Sequence, residues 1–302
     1  MSWEMCFTIC CSMLFQPTGR RRDRSRLLPK NPPKRQYSPR PPISQELRNE
    51  QAKCPLFSPN FPAELRLSIF EDVLGDKHRL MHVIPFDDQS GYVGRQRCID
   101  TACEGPTWQH KCFGVWLSGS SRRRVYTFNS RSQLLALLLS CHRIYLEAIH
   151  VMYTANKFSV KGGRGISAFH SVTPQPQWHQ IRHLNISTIF LTPQRYYPDE
   201  EWFPPDNFRQ WPTSCALVQS LHGLRSLQVE IIVYYTHDHQ NTAAVEEDAI
   251  LRILEPLNHV SAPLFEVEMN VAVPETVLEK LGTLAFTLVV RNRPFNDSLF
   301  YL

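Results

Sequence analysis

The sequence predicts an α+β fold: two helical segments with a strand-rich insertion between them, then a repeat-like region of alternating strands and helices. Three observations carry this. Apolar residues recur at helical spacing in segments 61–74 and 133–153. Short β-branched or aromatic runs separated by Gly, Asp and Ser fill much of the interval between them. Beyond residue 175, strand-like and helical runs alternate, which implies a partly parallel sheet with right-handed crossovers.

The 302 residues are 42% apolar and 20% charged, enough to bury one sizeable core. Charge is unevenly placed. Residues 20–40 hold nine basic side chains against Asp23, so subtracting their +8 from the net +5 leaves −3 for the remainder. A slightly acidic body is a poor platform for phosphate backbones, so no nucleic-acid partner is expected for it. Residues 1–53 combine this basic run with Pro32-Pro33 and Pro41-Pro42 and, past residue 15, almost no apolar periodicity. Such an arm cannot offset its ordering entropy by burial, so it is predicted disordered, with residues 54–302 as a single folded body.

The first helix is expected over Phe61–Leu74. Pro62 suits an N1 position, Glu64 the first turn, and Gly75 ends the run; Leu65, Ile69 and Val73 form its apolar stripe. Leu80–Phe86, Gly114–Leu117 and Arg124–Phe128 then read as strands of a small antiparallel insertion within 76–130. Ser130-Arg131-Ser132-Gln133 is a capping box opening a helix that runs through Leu138, Cys141, Tyr145 and Ala148 to Tyr153.

Asn156–Val160, Ile181–Ile186, Leu224–Tyr235, Phe265–Val271 and Phe286–Val290 are predicted strands. Thr213–His222 and Val245–Leu257 are the helices between them, with Gly223 as a C′ residue. Ile181–Ile186 and Leu224–Val229 share a leucine-repeat-like phrase, but their separation of about 43 residues exceeds that repeat's usual 20–29.

Two phrases carry a family resemblance. Phe61-Pro62-Ala63-Glu64-Leu65-Arg66 is similar to the opening of an F-box helix. Cys141-His142-Arg143-Ile144-Tyr145-Leu146-Glu147-Ala148, with Tyr153-Thr154-Ala155-Asn156-Lys157-Phe158, resembles a phrase of an uncharacterised F-box-like domain family of filamentous fungi. The resemblance covers roughly residues 54–235. It implies an interaction module without catalytic residues, whose helices dock on a Skp-type adaptor of a ubiquitin ligase while the C-terminal region holds a substrate. The adaptor-binding residues it implies are Phe61, Pro62, Leu65, Ile69, Leu138, Ile144 and Tyr145. In contrast to a contiguous F-box, the insertion here separates the two halves.

Nine cysteines, an odd count without a convincing secretory signal, point to reduced thiols in the cytoplasm or nucleus. Cys98, Cys103, His110 and Cys112 are all able to ligate Zn²⁺ and would make a structural site, the one cofactor the chain suggests. Their spacing is looser than a zinc knuckle's and equally describes buried or idle thiols. The pairs His78/His82, His179/His183 and His237/His239 bring no accompanying carboxylate, and Gly162-Gly163-Arg164-Gly165 reads as a turn rather than a phosphate loop. No nucleophile–base motif marks an enzyme. Cys6, Cys10 and Cys11, just before the basic arm, offer palmitoylation plus anionic-lipid attraction as a second reading, a peripheral membrane protein. Arg20–Arg26 equally suits a nuclear localisation signal.

Overall fold

The computed structural model describes residues 54–85, 93–113, 115–117, 123–125, 137–138, 140–192, 206–235 and 247–296. The basic arm, Cys6, Cys10, Cys11 and the capping box at 130–133 lie outside these. No helix among the described residues is long and apolar enough to cross a membrane.

Seven strands form one sheet: β1 (Asp76–Pro85), β2 (Val93–Arg97), β5 (Asn156–Lys161), β6 (His183–Thr192), β7 (Ser226–Tyr235), β8 (Leu264–Met269) and β9 (Thr287–Val290). Their spatial order is β2-β1-β5-β6-β7-β8-β9. Only β2 runs antiparallel; each other neighbouring pair is parallel. The α+β class and the alternating, partly parallel half are as the sequence predicts. The repeat-like phrases are neighbours in register, Leu184 opposite Leu227 and Ile186 opposite Val229.

Sequential parallel strands joined by right-handed crossovers place their helices on one face. The helices are α1 (Ala63–Leu74), α2 (His142–Thr154), α3 (Gly162–Val172), α4 (Gln175–Trp178), α5 (Trp211–Gln219), α6 (Glu247–Leu254) and α7 (Glu275–Leu281). All contribute to one apolar cluster with Val83, Phe158, Ile186, Val229 and Val267 from the strands. On the opposite face a small cluster gathers Trp108, Ile189 and Ile232. There the segment 98–113, with short 3₁₀ turns at Thr107–Gln109 and Lys111–Phe113, lies against the sheet.

Several sequence expectations need correction. The run Leu80–Phe86 does not belong to a small antiparallel insertion, because β1 is an inner strand of the main sheet, parallel to β5 and antiparallel to β2. That pairing spans about 80 residues and leaves no local signature; among the described residues, β3 (Val115–Leu117) and β4 (Arg123–Val125) form a separate antiparallel pair. The predicted helix over 133–153 is interrupted. Leu137 and Leu138 are helical, Ser140 turns, and Cys141 is extended at φ −160°, its sulfur accepting from the Ile144 N–H to start α2.

Gly162–Gly165 is not a free-standing turn. Gly162, at φ 58°, swings the chain from β5 straight into α3. Gly223 does not adopt the left-handed conformation of a C′ residue; a Cβ there would meet Arg182 Nη1 at 1.4 Å. A positive φ appears instead at Gly282, after α7, with ψ −135°, a conformation open to glycine but not the left-handed helical one.

Candidate functional site

Helix α1 buries only Phe70 and Leu74, while Leu65, Ile69 and Val73 stand 53%, 40% and 43% exposed. The i, i+4, i+8 stripe read from the sequence is therefore the outward face, and the inward face is a second apolar row. Arg66 fixes this orientation. Its Nε donates to Glu147 Oε2 at 2.9 Å across to α2, and its Nη1 donates to the Phe61 carbonyl at 2.9 Å. Arg143 holds the other oxygen of Glu147 and lies over the Phe57 ring.

Asn156 closes the unit, donating to the Leu74 and Met152 carbonyls and accepting from the Asp76 N–H. The residues of the two resembling phrases thus meet, and most of them do scaffold work. Of the predicted adaptor residues, Pro62, Leu65 and Ile69 are exposed and Phe61 is half-exposed. Leu138, Ile144 and Tyr145 are core and present no surface to a partner.

A second grouping lies on the opposite face of the sheet. His82 from β1, Cys98 just after β2, and His110 bring ligand-type atoms within 4.8 Å of one another, all three residues buried. Cys98 Sγ is 3.4 Å from His110 Nδ1. The Cys112 thiol lies against both Cys98 and His82 and accepts from the Ile99 N–H at 3.3 Å. Of the predicted set Cys98, Cys103, His110 and Cys112, the structure groups Cys98 and His110 with His82, sets Cys112 beside them, and leaves Cys103 apart. Cys103 is half-exposed and sits beside Gly105. The sequence signal for His82 is faint: one histidine inside Met81-His82-Val83-Ile84, sixteen residues ahead of Cys98.

The two thiols share one hydrogen bond, which pushes the Cys98 pKa up and draws Cys112 down, although burial works to raise both. Burial lowers the His110 pKa, with His82 adding to the effect, so its ring is held neutral.

Beside this cluster runs a polar network that sequence reading missed. Glu230 on β7 accepts from the Thr107 N–H and hydroxyl, both at 2.9 Å, from Ser187 Oγ at 2.8 Å and from Asn185 Nδ2 at 3.3 Å. Ser159 donates to Asn185 Oδ1, extending the network across three parallel strands. On β8, Glu268 holds Arg291 and Arg293.

On the helix side, Asp206 caps α3. Both its carboxylate oxygens accept from the Gly163 N–H, and Thr188 Oγ1 donates to it at 2.6 Å. A Cβ on Gly163 would meet Ser214 Oγ at 2.7 Å, so the glycine lets the carboxylate and α5 approach. The positive end of α3, where a phosphate would bind, already holds an internal anion. A cleft between Val83, Val93, Met152 and Phe169 is almost wholly apolar in lining and gathers no nucleophile with a base.

A family model described as a domain of unknown function, DUF7730, matches residues 49–288. The chain belongs to the DUF7730 family. Its matched span starts just before the 3₁₀ turn at Pro55–Phe57 and includes both resembling phrases, the Cys/His cluster and all of β1 to β8. No curated protein and no solved structure matches the chain.

Proposed function

We propose that this DUF7730 chain is a non-enzymatic protein-interaction module of F-box-like character, docking a Skp-type adaptor through helix α1 and offering its C-terminal sheet region to a substrate of ubiquitin ligation. The carrying observation is the exposed stripe Leu65, Ile69 and Val73 on a helix whose other side is locked to α2. A contiguous apolar stripe held in water by a rigid support is what a helix-docking partner covers. Leu67 and, on α2, Leu146 add exposed apolar area. Residues 98–113 of the insertion lie on the opposite face of the sheet from the helices, away from α1. This supports an adaptor face even though the two F-box-like halves are separated in sequence.

The test is a pull-down of the full chain with a Skp-type adaptor, beside a Leu65→Asp/Ile69→Asp variant. Both positions are surface, so the variant should lose less than about 1 kcal/mol of stability. Retention of the adaptor by the wild-type chain and its loss in the variant is the expected result. No retention, where a known F-box is retained, or retention indifferent to the variant, overturns the reading.

A further inference from the structure

We infer that His82, Cys98, His110 and Cys112 form a closed tetrahedral Zn²⁺ site that fastens the 98–113 segment to the inner strand β1. This rests on the cluster alone and is independent of any adaptor.

His82 is 0% exposed, and neither ring nitrogen has a hydrogen bond of ordinary geometry. A fully buried imidazole left so is costly, and native proteins rarely tolerate it. Its nearest polar neighbours are the sulfur of Cys112 and the ring of His110, whose centroid lies 5.6 Å away at right angles. Both are metal-ligand types, and the sulfur is at most a weak hydrogen-bond partner for one of the two ring nitrogens.

The dimensions fit zinc. With Zn–S near 2.3 Å and Zn–N near 2.0–2.1 Å, a tetrahedral angle separates a sulfur from a nitrogen by about 3.5–3.6 Å. Cys98 Sγ and His110 Nδ1 stand 3.4 Å apart, and the three atoms of His82, Cys98 and His110 span no more than 4.8 Å. That pair is already at ligand spacing, and drawing the His82 ring in by about 1 Å at most would seat a metal among the three. Cys112 would close the tetrahedron from the 3₁₀ turn that follows His110: its sulfur lies against Cys98 and His82, though outside the 4.8 Å grouping of the other three.

Charge fits as well. Two thiolates and two neutral imidazoles around Zn²⁺ make a site of zero net charge, which a dry interior tolerates where a lone ion would be expelled. The Ile99 N–H already points at the Cys112 sulfur, the kind of outer hydrogen bond that steadies a ligating thiolate. Four buried protein ligands leave no open position, so the metal is structural. It joins β1, the end of β2 and the turns at 107–113, and so would hold Trp108 and Thr107 over the polar face of the sheet.

The experiment measures metal in the full chain, purified under reducing conditions and dialysed exhaustively, then exchanged with Co²⁺. About one zinc per chain is expected. The cobalt form should show thiolate-to-cobalt charge transfer and the intense visible bands of a tetrahedral ion, unchanged in Cys103→Ser. Neither measurement on the wild-type chain depends on a ligand variant folding. Zinc well below one equivalent together with an octahedral, colour-poor cobalt form overturns the site. So does loss of the cobalt bands in Cys103→Ser, or a Cys98–Cys112 disulfide in freshly isolated chain.

Discussion

Strand β6 presents Leu184, Ile186 and Phe190 to the helices on one side, and Asn185 and Ser187 to Glu230 on the other. The first set packs by shape: Phe190 meets Phe208 and Trp211 with ring centroids 4.9 and 5.5 Å apart. The second is held by direction, each oxygen and nitrogen matched to a donor or acceptor from another strand or from the 98–113 segment. Both sides are buried, yet only one is greasy. Burial on the second side must be compensated bond by bond, so that face is the more demanding of exact side-chain chemistry and the less demanding of volume.

The largest effects come from truncating either side. Phe190→Ala should cost about 3–5 kcal/mol through its transfer and cavity terms. Glu230→Ala should fall in the same range of about 3–5 kcal/mol, for a different reason: the Thr107, Ser187 and Asn185 donors are left buried without an acceptor. Shape-conserving changes separate the two rules. Phe190→Leu should cost less than about 2 kcal/mol. Glu230→Gln, nearly isosteric, should cost more than that, since one acceptor becomes a donor facing donors. Urea unfolding of the four variants checks this, and equal costs for the two conservative changes would break the contrast.

Asn156 sharpens the comparison, because it applies the polar rule on the edge of the helix side. One amide satisfies the last carbonyls of α1 and α2 and the first N–H of β1, and it is fully buried. Asn156→Ala should cost about 3 kcal/mol, as several backbone groups lose partners they cannot replace with water. Asn156→Asp should be no milder, since two carbonyls would then face a carboxylate. Thermal unfolding of the pair tests it; a cost below about 1 kcal/mol for the alanine variant would mean the junction rests on packing alone.

The greasy face was legible in the sequence and the polar face was not. Runs such as Leu224–Tyr235 and Phe265–Val271 announce parallel strands by apolar content, and their predicted bounds fall within a few residues of β7 and β8. Glu230, Asn185 and Thr107 carry no pattern, because their partners come from strands 45 and 123 residues away. His82 reads in the sequence only as half of the pair His78/His82, because Cys98 and His110 come from later segments, and Cys103 is their nearer neighbour along the chain. For α1, periodicity found a stripe and could not say which of two apolar rows faces inward; Arg66 and Glu147, 81 residues apart, decide that. The glycine run 162–165 hid a helix because its first turn is capped by Asp206, which arrives more than forty residues later.

Asp206 gives the smallest effect and the one with a sign. Burial raises its pKa from 3.8 to about 6, opposed by the bonds from Thr188 and Gly163 and by the charge of Arg164. A carboxyl whose pKa is higher folded than unfolded binds its proton more tightly in the native state. Its contribution is therefore complete below the unfolded value near 4 and is lost as pH rises through about 6. The swing between pH 4 and pH 7 should be on the order of 2 kcal/mol, with the acidic side the more stable. Asp206→Asn keeps an oxygen for the Gly163 N–H and removes the titration. The difference in unfolding free energy between wild type and variant, measured from pH 4 to 7, should shift in that window in favour of the variant as pH rises. Other carboxylates titrate alike in both chains, so the difference isolates this one. A flat difference would mean that the end of α3, with Gly163 and Thr188, stabilises the carboxylate as fully as water does, and the helix side would then hold a charge as comfortably as the polar face holds Glu230.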